Sequence, residues 1–156
     1  MKKILITCLV LIFASITVLA KDAINKKETP QFLYVLSAKA GSFEEKTLTL
    51  KDVPLVIYFS DRPARIAGHM SLKEFVKMWG KGKDSFKKNP PNATLSIFNE
   101  KGGKDVVIEI SAPQIKDDVL SFSARLLEGK ASQSFGAVSL FIDNSDYKQR
   151  KTPGVY

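Results

Sequence analysis

The sequence predicts a mainly β protein: an antiparallel β-sandwich or small barrel of seven to eight strands with one short capped α-helix at about 71–79. Two observations carry this. Short runs of β-branched and aromatic residues recur along the chain, with turn residues between them. One segment instead spaces its apolar residues helically and opens on a capping sequence.

The elements follow in order. Residues 32–37 (Phe-Leu-Tyr-Val-Leu-Ser) are aromatic and β-branched, and form the first strand. In 46–50, Leu48 and Leu50 alternate with Thr47 and Thr49, the pattern of a strand with one buried face. Residues 53–60 are almost continuously apolar, which predicts a central strand buried on both faces. Runs at 94–98 and 106–110 flank a polar loop containing Gly102 and Gly103, so they form a hairpin. In 119–127, Leu120, Phe122, Ala124 and Leu126 face one way; in 137–143, Val138, Leu140 and Ile142 do. Asp117-Asp118 is the turn ahead of the former, because adjacent residues on a strand face opposite ways and would not share a metal. The helix opens with Ser71-Leu-Lys-Glu74, a capping box. Leu72, Phe75, Val76 and Trp79 then form one apolar stripe, and Gly80 ends it.

The first twenty residues are of another kind. Lys2-Lys3 leads into sixteen residues, 4–19, that are apolar apart from Thr, Ser and Cys. Ala20 closes the run with a small residue, and Lys21-Asp22 turns polar. This is the three-part signal peptide pattern, and the run is shorter than the ~20 residues of a membrane span. The organisation expected is a signal peptide at 1–20, a flexible lead-in at 21–30, one β domain at 31–143 and a polar tail at 144–156. Export to the periplasm or full secretion follows, with no transmembrane span after cleavage.

The chain of 156 residues carries a net charge of +8, which falls to +6 without Lys2 and Lys3. Its single Cys8 lies inside the signal, so the remainder holds no thiol and no disulfide. One His and one Cys do not make the common zinc patterns, and no phosphate-loop, dinucleotide, serine-hydrolase or zinc-protease motif is present. No metal and no cofactor are therefore expected.

The best candidate site is Asp61, Arg62, Arg65 and His69, with Ser71 at the start of the helix. Guanidinium forks pair bidentately with carboxylate or phosphate, which points to an anionic ligand. His69 could act as acid or base, with Asp61 orienting it. The structural account is that Asp61 caps a turn, Pro63 sets its backbone, and the arginines close it. A second candidate is the lysine-rich stretch 73–88 around Trp79 and Phe86. It reads as a solvated face with both rings in the core, and nucleic acid is not an expected partner. The strand aromatics, Phe32, Tyr34, Tyr58, Phe59, Phe98, Phe122 and Phe141, are expected to fill the core rather than line a ligand cavity.

The segments Tyr58-Phe-Ser-Asp-Arg-Pro-Ala-Arg-Ile-Ala-Gly-His69, Pro90-Pro-Asn-Ala-Thr-Leu-Ser-Ile97 and Ser139-Leu-Phe-Ile-Asp143 together resemble a family of short exported prokaryotic proteins of uncharacterised function. The resemblance spans about 32–143 and departs from the pattern at Glu45 and at 87–89. It implies compartment and domain extent, and transfers no catalytic residue.

The functional expectation is an exported, basic, non-enzymatic binding or interaction module, with its contact surface around 60–71 and an anionic ligand or envelope protein as partner. The alternative is a small hydrolase or lyase with His69 as acid/base and Arg62 and Arg65 as the anion clamp. The signal reading has a direct check. Intact-mass analysis of the protein exported from a bacterial host should give a chain beginning at Lys21, and retention of Met1 would overturn it.

Overall fold

The computed structural model describes residues 30–99 and 102–143. The signal, most of the lead-in and the tail lie outside the described residues. Ten strands and one helix follow in order: β1 (Phe32–Ala38), β2 (Ala40–Glu44), β3 (Thr47–Lys51), β4 (Val56–Ser60), β5 (Ala67–Met70), α1 (Leu72–Met78), β6 (Asn92–Asn99), β7 (Gly102–Lys116), β8 (Val119–Glu128), β9 (Ser134–Phe135) and β10 (Val138–Asp143).

The mainly β, antiparallel class with one short helix is what the chain adopts. The strands join in one ladder, β5-β4-β1-β10-β6-β7-β8-β3-β2-β9, every pair antiparallel. The two end strands do not pair, so the sheet is not closed into a barrel. The expected count was short by the weakest strands, β2, β5 and β9. Gly41, Ser42, Gly68 and Ser134 give these little β propensity, and each is held by its neighbour's backbone.

The ladder cannot be flat. β1 stands third in it and β2 ninth, yet only Lys39 separates them in the chain. Six inter-strand steps on a plane would part them by about 29 Å, whereas Ala38 and Ala40 can be at most about 7 Å apart. The sheet therefore rolls until the two meet, and Lys39 N–H donates to the Lys51 carbonyl at 3.1 Å across the join. A bulge in β7, where Ala112 takes φ +48 between Ser111 and Gln114, supplies one sharp bend.

Rolling creates an inside. Leu36, Leu48, Leu50, Val56, Leu95, Ile108, Ile110, Leu120, Phe122, Leu140 and Ile142 come from seven strands and form one buried cluster. The helix seats on it: Phe75 packs tilted against Tyr34 at 5.7 Å between ring centres, and Trp79 against Phe122 at 5.7 Å. Trp79 and Phe86 are buried, 4.8 Å apart, while all six lysines between 73 and 88 are exposed. The stretch is the solvated face that its pattern predicts.

Two expectations need correction. The 53–60 run is not a central strand buried on both faces. Pro54 keeps its first part out of the ladder, and β4 is second from the edge, with Ile57 and Phe59 turned outward. Nor do all the strand aromatics fill the core: Phe59, Phe98 and Phe141 are exposed.

Gly41 tests the roll. A Cβ there would stand 2.6 Å from the Thr49 carbonyl oxygen and 2.5 Å from the Phe135 ring. Gly41→Ala should destabilise the protein by about 1–3 kcal/mol in urea unfolding, and an unchanged midpoint would show that the β2–β9 corner gives way freely.

Candidate functional site

The segment singled out in the sequence is the tip of a β-hairpin. β4 and β5 pair Val56 with Met70, Ile57 with His69, Tyr58 with Gly68 and Phe59 with Ala67. Ser60 N–H donates to the Ile66 carbonyl at 2.8 Å, and Ile66 N–H donates back to Ser60 Oγ at 2.9 Å. Beyond that pair the chain turns through a cis Arg62–Pro63 bond, with Arg65 in the left-handed region at φ +49. Asp61 holds the turn from both its ends. Its Oδ1 accepts from Arg62 N–H at 2.6 Å, and its carbonyl accepts from Arg65 N–H at 3.2 Å.

Asp61 thus shapes the turn, as its structural account supposes. The arginines do not close it: both are exposed, and neither forms an ion pair with a described residue. Arg125 shows the contrast. It pairs with Glu109 at 2.9 Å across β7 and β8, and that carboxylate raises its pKa.

His69 stands elsewhere. The ladder puts the Ile57/His69 pair three positions from Ser60/Ile66, about 10 Å along the strand. Asp61 at the tip is therefore beyond hydrogen-bonding reach of the imidazole. His69 lies instead toward the helix start, where it adds to the lowering of the Glu74 pKa.

Ser71 is fully engaged. Its hydroxyl accepts from Glu74 N–H at 3.3 Å and donates to Glu74 Oε2 at 2.8 Å, while its own N–H donates to that oxygen at 2.9 Å. The capping box is complete, so Ser71 positions α1. The five candidates therefore divide into a cationic hairpin tip and a helix cap.

The structure adds residues that pattern reading passed over. On the outer face of the sheet, cross-strand register lines up His69, Ile57, Val35 and Phe141 in one row, and Ala67, Phe59, Leu33 and Asp143 in the next. Ile57, Phe59 and Ile66 are 48%, 41% and 42% exposed, all on the hairpin that carries the arginines. A cavity of about 330 Å³ opens at the end of these strands, between Phe32, Leu33 and Phe59 and the carboxyl side chains Asp61 and Asp143. A second, of about 530 Å³, lies at the Lys39 bend beside Val53, Pro54 and Leu72. The one usable sign of the outer patch is the unbroken apolar run 55–59, whose alternation must turn Ile57 and Phe59 away from the face of Val56 and Tyr58.

Among the described residues no group of three or more His, Cys, Asp or Glu is placed to hold a metal ion. No helix among them is long and apolar enough to cross a membrane. Comparison with protein-family models, curated proteins and solved structures returns no match.

The capping box gives a pH test. The Ser71 backbone N–H, then its hydroxyl, hold the Glu74 carboxyl below its usual 4.5. A folded-state value below the unfolded one adds stability that is complete above the unfolded value and disappears as pH falls through the folded one. Glu74→Gln should therefore be less stable than wild type in urea at about pH 7, with the gap closing below pH 4.5. A gap unchanged at about pH 2 would show that the carboxylate charge is irrelevant to the cap.

Proposed function

We propose that this protein is an exported binding module without catalytic function, which contacts an acidic partner of the cell envelope through its β4–β5 hairpin. One observation carries the reading: the hairpin exposes Ile57 and Phe59 on its outer face and Ile66 near its tip, and the tip carries two guanidiniums that serve no described ion pair. Contiguous exposed apolar surface is costly in a monomer and marks interaction sites. Arg62 and Arg65 supply charge-assisted donors for a carboxylate or phosphate at its rim. The signal pattern at 1–20 and the family resemblance support export. The separation of His69 from Asp61 leaves the acid/base alternative without its orienting carboxylate.

If the cluster serves a partner, the fold does not need it. Arg62→Ala, Arg65→Ala and His69→Ala should each unfold in urea within about 0.5 kcal/mol of wild type. Losses of about 2 kcal/mol in each would make the side chains structural and overturn the reading.

A further inference from the structure

The backbone of β5 is as informative as the side chains around it. Because Ser60 and Ile66 form a hydrogen-bonded pair, the alternation of an antiparallel ladder makes Tyr58/Gly68 and Val56/Met70 bonded pairs too. Phe59/Ala67 and Ile57/His69 are then the non-bonded ones. The backbone N–H and C=O of Ala67 and His69 therefore point away from β4, toward the side of β5 where no described strand lies. The other end strand, β9, has two residues, too few to seat a partner strand.

The side chains leave this edge open. Ala67 is small. Gly68 has no side chain because the Tyr58 ring covers it: a Cβ there would lie 2.6 Å from the Tyr58 hydroxyl. Edge strands that must stay single are blunted by charge, proline or cover, and 67–70 (Ala-Gly-His-Met) carries at most the imidazole. An extended chain laid along the edge would set alternate side chains beside Ala67 and His69 on the outer face, with Phe59 one strand further in behind the small Ala67, and at the tip would reach Arg62 and Arg65.

From this juxtaposition we infer that the partner docks by strand addition. An extended segment of another protein, apolar at alternate positions and acidic at the end nearest the tip, pairs with Ala67 and His69 of β5. Main-chain hydrogen bonds supply affinity, and the outer face and the guanidiniums select the sequence. The inference rests on the binding reading above and names the partner's chemistry.

The test pans a random dodecapeptide display library against the purified protein. The selected peptides are then titrated against three forms: wild type, Arg62→Glu/Arg65→Glu, and Ala67→Pro. The proline removes one outward N–H and leaves the β4 ladder intact, as an edge position allows. Should Ala67→Pro lower the urea midpoint, His69→Pro removes the other outward N–H in its place. The expected peptides alternate β-branched or aromatic residues with polar ones and carry Asp or Glu at one end. Both variants should bind them about tenfold more weakly or worse, the proline through its lost hydrogen bond. Binding lost with the charge reversal but kept by the proline variants would overturn strand addition and leave the hairpin surface standing. No enriched peptide, or peptides that bind all forms equally, would overturn both.

Discussion

One bent strand governs this structure. β1 and β2 are a single run of chain broken only at Lys39, yet they belong to distant places in the ladder. Chain connectivity thus forces curvature on a sheet that hydrogen bonding alone would leave open. Everything buried depends on that curvature. The inward residues of seven strands would otherwise face water, and the helix would have no concave floor for Phe75 and Trp79. The Trp79 indole N–H is buried with no partner among the described residues, a sign of how fully that floor is apolar.

The roll also explains where the apolar surplus went. A sheet curved round one core has a second, convex face, and strand alternation must put something on it. Over most of the ladder that is polar: Ser37 bonds Ser139 at 3.0 Å, Ser96 bonds Asp105 at 2.6 Å, and Arg125 pairs with Glu109. Around β4 it is Ile57 and Phe59 instead. The difference coincides with the hairpin that carries Arg62 and Arg65, neither of which forms a described ion pair.

How much of this was legible in the sequence depends on the physics of each element. Alternation gave Leu48 and Leu50 of β3, and Val138, Leu140 and Ile142 of β10, because a strand with one buried face writes its period into its composition. The capping box was legible for the same reason: its chemistry is local. The run through 53–60 was ambiguous, since unbroken apolarity fits a strand buried on both faces and equally one whose outer face is left bare. β2, β5 and β9 were silent, being held by backbone pairing to a neighbouring strand and not by propensity. Of the candidate site, the grouping at the tip was readable, but the distance to His69 was set by hairpin register, which residue types do not encode.

The position of β10 has a consequence for how the molecule comes into being. Among the described strands the last, β10, lies between the first, β1, and β6. A nascent chain that has not yet delivered residues 138–143 offers β1 and β6 as two bare edges, with Leu36 and Leu95 lacking the row that Leu140 places between them. No earlier stretch can stand in, since β10 is the keystone of the middle of the sheet. The middle of the sheet thus closes only when β10 arrives, and until residues 138–143 are delivered a growing polypeptide remains an unfinished sheet.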